Sequence, residues 1–279
     1  MTAIAAEGLT RRFGEVVAVD DVSFEIGAGE VVALLGPNGA GKTTTLALLE
    51  GFLAPSAGRV AVLGAEPRRG GRRWRARIGL VLQSTSLDAE LTAREALRVF
   101  AGLHADPVPV AEVLDLIDLA DAADTRIGRL SGGQQRRVDL GLGLVGRPEV
   151  LFLDEPTTGL DPEARRRTWA VVERLAGGGT TVLLTTHAMD EAERLAGRLL
   201  VLADGRLVAD ATPDALRAAS ASATARLPAR LHADQRELVV HTDDITATLE
   251  ELVAQGIDLS GLEVAPPTLE DAYLELTHA

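Results

Sequence analysis

Eight consecutive residues, Gly36-Pro37-Asn38-Gly39-Ala40-Gly41-Lys42-Thr43, constrain the fold of this chain more than any other stretch. They fit the phosphate-loop pattern, which works only between a buried strand and a helix. Both flanks comply. Val31-Val32-Ala33-Leu34-Leu35 is a continuous apolar run of strand length, as a strand covered on both faces requires. Thr43–Glu50 reads as a helix. The glycines let backbone N–H groups converge on phosphate oxygens, and the helix start adds its positive end. Of the 28 basic side chains only Lys42 is a lysine. A compact ammonium on a flexible stem can lie along such a loop and reach two phosphates, where a planar guanidinium would not fit. Thr43 is the expected Mg²⁺ ligand, and Thr44 is expected to donate to another phosphate. The loop points to a nucleotide triphosphatase.

A second run, Val150-Leu151-Phe152-Leu153-Asp154-Glu155, is an apolar strand ending in two acids. By itself it is a buried strand meeting its exit turn. Paired with a phosphate loop, it places Asp154 near Mg²⁺ through water and makes Glu155 the group that orients and deprotonates an attacking water.

Composition removes several other classes. The absence of cysteine excludes a disulfide framework, a thiolate metal site and a cysteine nucleophile. A formal charge of −13 argues against a nucleic-acid partner. No stretch approaches the roughly 20 apolar residues that span a bilayer, and the first residues do not read as a signal peptide. A soluble, cytoplasmic chain is therefore expected. Its acidic surface either aids solubility or meets a basic partner, such as the Lys/Arg-rich cytoplasmic loops of a membrane protein.

The remaining pattern alternates strand and helix. Short strands are expected at Ile4–Leu9, Val16–Val19, Val22–Ile26, Arg59–Leu63 and Ile78–Gln83. From about Thr92 to Gly146 the apolar spacing is helical, as at Val110, Val113, Leu114 and Ile117. Strands Val150–Leu153, Thr181–Thr185 and Leu199–Leu202 continue the core, with helices after Pro162 and from Ala188. Asp161-Pro162 is a helix start with Asp as cap. Gly205 turns a hairpin into Leu207–Ala209, and a short helix follows Pro213. The Ser/Ala-rich Ala218–Ala225 reads as a boundary, giving a domain over 1–220 and a small α+β module over 221–279. That module is expected to hold strand Glu237–His241, helix Asp244–Gln255, strand Asp258–Val264 and a last helix capped at Thr268.

Leu130-Ser131-Gly132-Gly133-Gln134 is the discriminating segment. As a Ser-capped, glycine-flanked helix start it presents N–H donors to an anion. With the two motifs above, it makes the chain resemble the ATP-binding subunit of an ATP-binding-cassette transporter, over about residues 2–220. The resemblance implies an α/β phosphate-loop core with a mixed sheet and flanking helices. It also implies an antiparallel β subdomain and an inserted helical subdomain over about 92–147. The cofactors it implies are ATP and Mg²⁺. Two ATP molecules would be sandwiched between two chains, each phosphate loop closed by the other copy's Ser131, Gly132, Gly133 and Gln134. Phe13 stands where the family stacks an aromatic on adenine, although alone it would be read as a core residue. Gln83 matches the glutamine that touches Mg²⁺ and senses the membrane partner. Asp161 matches the loop crossing the dimer interface, and His187 matches the switch histidine at the γ-phosphate.

The segment Pro266-Pro267-Thr268-Leu269-Glu270-Asp271-Ala272-Tyr273-Leu274-Glu275-Leu276-Thr277 resembles the terminal segment of ATPases of daunorubicin-resistance-type exporters. In those the permease is a separate polypeptide, with the ATPase peripheral on the cytoplasmic face of the membrane. Competing expectations are a soluble ATPase of the same superfamily and a drug-sequestering module. Two further features stay open. Arg68 to Arg77 hold six arginines, either a solvated loop or an attraction for anionic headgroups. Gly141 and Gly143 interrupt the helix that starts at Ser131, for close packing or for local flexibility.

Overall fold

The apolar run at Val31–Leu35 becomes β3, an inner strand of a six-stranded sheet ordered β5-β6-β7-β3-β8-β9 in this computed structural model. The structure describes residues 1–83, 87–219, 223–229, 236–242, 245–257, 263–265 and 268–278. By compactness the chain divides into Met1–Asp210 and Ala211–Ala279.

The first unit opens with β1 (Thr2–Phe13) and β2 (Val16–Gly27), which pair antiparallel, and β4 (Ala57–Val62) pairs antiparallel on the other side of β1. The two opening strands are much longer than the short runs expected. Acidic Asp20 and Asp21 break the apolar alternation, yet register shifts along both pairings absorb the irregularity and let the ladder continue. Helix α1 (Lys42–Leu49) contacts β2, β4 and β6, and its Leu46, Leu48 and Leu49 are buried among residues of both sheets. Burying one such leucine contributes about 1.5–3 kcal/mol, so α1 stays seated although its own sequence is short for an independent helix.

After α2 (Arg72–Arg75) and β5 (Ile78–Val81) comes a helical insertion of α3 (Ala93–Ala101), α4 (Val110–Leu116) and α5 (Gly132–Leu144). Val113, Leu114 and Ile117 are buried within it. The two glycines of α5 serve close packing. A Cβ on Gly141 would meet Ile117 Cδ1 at 2.9 Å, and one on Gly143 would meet Val81 Cγ2 at 3.0 Å. The sheet resumes with β6 (Val150–Asp154), α6 (Pro162–Gly177), β7 (Thr181–Thr186), α7 (Met189–Leu195), β8 (Arg198–Ala203) and β9 (Arg206–Ala211). Strands β5, β6, β7, β3 and β8 run parallel, with Leu35 beside Thr186, Asp154 beside Thr185 and Val81 beside Leu153. This register carries the segments that follow Leu35, Val81, Asp154 and Thr186 to one edge, where open α/β sheets bind ligands.

The second unit contains α8 (Pro213–Ala219), β10 (Ala223–Ala229), β11 (Arg236–Thr242), α9 (Ile245–Ala254), β12 (Glu263–Ala265) and α10 (Leu269–His278). Its strands form an antiparallel sheet ordered β11-β10-β12, and α8 packs on α10. Helix α10 starts as expected: Asp271 N–H donates to Thr268 Oγ1 at 3.1 Å, and Thr268 N–H donates to Asp271 at 2.8 Å. Strand β10 was not expected, because Ala, Thr, Arg and Pro give it no apolar alternation. The expected strand at Asp258–Val264 lies outside the described residues up to 262, and Glu263 and Val264 belong to β12.

Candidate active site

The phosphate loop leaves β3 at Gly36. Pro37, Asn38 and Gly39 are exposed at its crown, and Ala40, Gly41 and Lys42 return into the protein. Gly41 caps α1 with φ 98°, and a Cβ there would lie 2.3 Å from the Ala18 carbonyl oxygen on β2. Only glycine meets both demands. Helices α3, α5 and α6 are capped by the side chains of Thr92, Ser131 and Asp161, whereas α1 has no side-chain cap and no acidic residue in its first turn. Its positive end is thus left for an anion.

The Lys42 ammonium donates to the Gly36 carbonyl at 2.7 Å and the Pro37 carbonyl at 3.2 Å, so its stem lies along the loop as its motif requires. Burial pulls its pKa below the usual lysine range, while Glu155 and Asp154 work in the opposite direction. Thr43 is exposed at the start of α1, and Thr44 is half-buried beside it.

At the same sheet edge, Asp154 closes β6 and is buried, accepting a hydrogen bond from the Thr185 hydroxyl of β7. Glu155 follows with φ 45°, a backbone region costly for a residue with a side chain. Its N–H donates to the Thr185 carbonyl at 3.2 Å and to Thr185 Oγ1 at 3.0 Å. Its carboxylate accepts from Gln83 Nε2 at 3.0 Å and from Thr158 Oγ1 at 3.1 Å. His187 Nδ1 lies 3.5 Å from Glu155 Oε1. Three residues far apart in sequence therefore share one carboxylate.

The other predicted residues are placed in two further groups. Ser131 and Gln134 form a reciprocal cap on α5, with Ser131 N–H donating to Gln134 at 2.9 Å and Gln134 N–H to Ser131 at 3.2 Å. Gly132 is exposed, and Gly133 packs so closely on α6 that a Cβ would meet Ala164 Cβ at 2.7 Å. Asp161 accepts from the N–H groups of Glu163 and Ala164, both at 2.9 Å. Phe13 ends β1 and is 45% exposed, so it is no core residue. The Arg11 guanidinium covers its ring at 4.5 Å, in cation–π range.

Sequence reasoning missed several contributors. Arg136, buried on α5, reaches the chain on either side of Glu155. Glu191, fully buried on α7, accepts from Thr157 at 2.7 Å and from Trp169 Nε1 at 2.9 Å, fixing the turn after Glu155. Glu50 ends α1 as a buried carboxyl, pushed up to about 8 by burial and then by the charge of Asp154. Nothing local marks these residues, since each acts on a distant part of the chain.

The chain is similar to known proteins over nearly its whole length. A family model described as ABC transporter matches residues 19–158. A daunorubicin resistance ATP-binding protein (DrrA2) of Streptomyces coeruleorubidus is 39% identical, over 99% of this chain and 95% of that protein. A Nod factor export ATP-binding protein I of Paraburkholderia xenovorans (strain LB400) is 41% identical, over 99% of this chain and 97% of that protein. Among solved structures, an ATP-binding subunit of an ABC transporter superposes with TM-score 0.69 at 28% identity, covering 78% of this chain and 92% of that one. The dimeric post-hydrolysis state of an ATP-binding cassette bound to ADP and Pi superposes with TM-score 0.66 at 25% identity, covering 75% and 98%.

Proposed function

The chain belongs to the ABC transporter family as an ATP-hydrolysing subunit, and we propose that it powers export of a small molecule through a separate membrane permease. No helix among the described residues is long and apolar enough to cross a membrane, which supports a separate permease. One relative is named for daunorubicin resistance and the other for Nod factor export. Export of a drug or comparable small molecule is therefore what carries over, with the subunit peripheral on the cytoplasmic face of the membrane.

The observation that carries the catalytic reading is the Glu155 carboxylate, held by Gln83 and Thr158 and flanked by His187 at the edge where the phosphate loop opens. In this reading Glu155 orients the attacking water and takes its proton, and His187 and Gln83 hold the γ-phosphate side of the site. Lys42 and the first-turn N–H groups of α1 offset the phosphate charge as it redistributes. Thr43, Asp154 and the Gln83 carbonyl are hard oxygen donors suited to Mg²⁺, which ordinarily keeps waters and substrate phosphates as its other ligands. Bound there, Mg²⁺ would neutralise charge on the β- and γ-phosphates.

Phe13 offers a ring face to adenine, its other face being taken by Arg11. Ser131, Gly132, Gly133, Gln134 and Asp161 complete the site of a second, identical copy, so ATP binding closes a dimer and hydrolysis opens it. A cassette solved as a dimer with ADP and Pi bound supports the pairing of two copies, with opening following release of the products.

Affinity capture of the tagged chain from a detergent extract of its host tests the transport reading. Recovery of a membrane protein with about six spans, and ATP-dependent extrusion from vesicles holding both, is expected. Recovery of soluble partners alone would overturn it in favour of a non-membrane ATPase.

A further inference from the structure

Arg136 is the buried cation nearest to Glu155 that the mechanism above does not use. It sits on α5, five residues after the Ser131 cap, and only 9% of it is exposed. Its guanidinium makes no bidentate pair with a carboxylate. Instead Nε donates to the Pro156 carbonyl at 2.9 Å, and Nη2 donates to the carbonyls of Asp154 at 2.9 Å and Glu155 at 3.3 Å. Nη1 donates to the carbonyl of Leu82, the residue before Gln83. Asp139 Oδ2 lies 3.8 Å from Nη1. Burial works against the charge, and the carboxylates of Asp139, Asp154 and Glu191 offset it.

The placement of these carbonyls is informative. Those of Asp154 and Glu155 flank the residue held at φ 45°, whose N–H is fixed from the other side by Thr185. A residue in that region persists only where its surroundings over-determine it. The Leu82 carbonyl fixes the other segment, from which Gln83 donates to the Glu155 carboxylate. One planar fork thus ties down both ends of the Gln83–Glu155 hydrogen bond. Several carbonyls diverging around one centre suit five N–H donors in a rigid plane and do not suit an ammonium.

We infer that Arg136 is a positioning residue for ATP hydrolysis, holding the strained turn at Glu155 and the Gln83 segment so that the carboxylate points at the attacking water. The inference rests on the reading of Glu155 as the base. Because Arg136 touches no nucleotide in this reading, its loss acts on turnover and spares ATP binding.

The test uses the full chain with Arg136→Lys and Arg136→Met, each made alone and with Glu155→Gln. Turnover, the Kd for ATP by calorimetry and the melting temperature are measured for each. Arg136→Met is expected to lower kcat at least thirtyfold and Arg136→Lys at least fivefold, with Kd within threefold of the parent. In the Glu155→Gln background either change is expected to alter the residual turnover less than twofold, since the group it positions is gone. Should Arg136→Met fail to fold, Arg136→Lys carries the same readings. A kcat within twofold of the parent would overturn the inference, as would a Kd rising in step with the kcat loss. An equal loss with and without Glu155 would also overturn it. Unchanged turnover in Glu155→Gln alone would instead remove the base assignment on which the inference stands.

Discussion

The phosphate loop and the cluster around Glu155 lie at one sheet edge, yet they are assembled in opposite ways. The loop is a run of eight neighbours whose geometry comes from its own backbone, with Gly41 at φ 98° and the Lys42 ammonium bonded to Gly36 and Pro37 a few residues away. The cluster gathers Gln83, Arg136, Glu155, Thr185 and His187 from five separate segments, and its geometry comes from hydrogen bonds between them. In the proposed reading the first is a local solution to holding phosphate. The second is a non-local solution to aiming one carboxylate, and it stores backbone strain at Glu155 that its neighbours must restrain. Damage to the loop should therefore weaken binding, and damage to the cluster should slow turnover.

The sharpest division comes from one substitution on each side. Glu155→Gln should lower turnover roughly 10²–10⁴-fold, as loss of a general base does, with ATP affinity within a few-fold of the parent. Lys42→Met should instead weaken ATP binding by roughly 10–100-fold, the cost of one charge-assisted contact. Steady-state kinetics with equilibrium binding separates the two; a Kd effect as large in the first as in the second would erase the division.

Gly41→Ala probes whether the loop is truly set by its backbone. A side chain at φ 98° pushed toward the Ala18 carbonyl should cost about 3 kcal/mol in strain and crowding. A melting curve and an ATP titration that both match the parent would show the loop to be adaptable instead.

Thr185→Val is the gentler test of the cluster. It removes a hydroxyl that donates to Asp154 and accepts from Glu155 N–H, leaving a buried carboxylate oxygen without that donor. A turnover loss of about tenfold is expected, from roughly 1–2 kcal/mol, with little change in Kd.

The smallest expected effect concerns Glu50, which ends α1 and feels the charge of Asp154. Its folded-state pKa of about 8 stands above the ordinary 4.5, so the folded protein keeps a proton that the unfolded chain loses. Stability should accordingly decline as pH rises from about 4.5 through 8, the direction opposite to a salt-bridged carboxylate. Glu50→Gln should flatten that decline and raise the nucleotide-free melting temperature at pH 8 by roughly 2–6 °C. At pH 5 it should change little. An equal slope in both proteins would show that Glu50 ionises freely.

The same contrast explains what the sequence made legible. Strand β3, the phosphate loop and α1 could be read directly because apolar run, glycines and helix are contiguous. Asp154 and Glu155 could be read because an apolar strand ends on them. Gln83 and His187 became legible through motif order alone, for a glutamine past a strand or an exposed histidine says nothing locally. Arg136, Thr185 and Glu191 were not legible. Their partners are backbone carbonyls and side chains 18 to 54 residues away, and no local pattern encodes that. Glu50 reads as an ordinary polar helix end, and only the fold reveals that β4 and β6 cover that helix. The opening strands run longer than apolar alternation anticipates because register shifts carry β2 past Asp20 and Asp21 and let β1 continue through Arg11 and Arg12.

In the proposed mechanism each site is completed by another copy of the chain. The most direct measurement is the mass of Glu155→Gln by light scattering with ATP and Mg²⁺, compared with the same protein without nucleotide. A shift from 29.3 kDa to twice that mass on adding ATP, absent with ADP, is the predicted result. A chain that stays monomeric at saturating ATP while the parent turns over at full rate would contradict it.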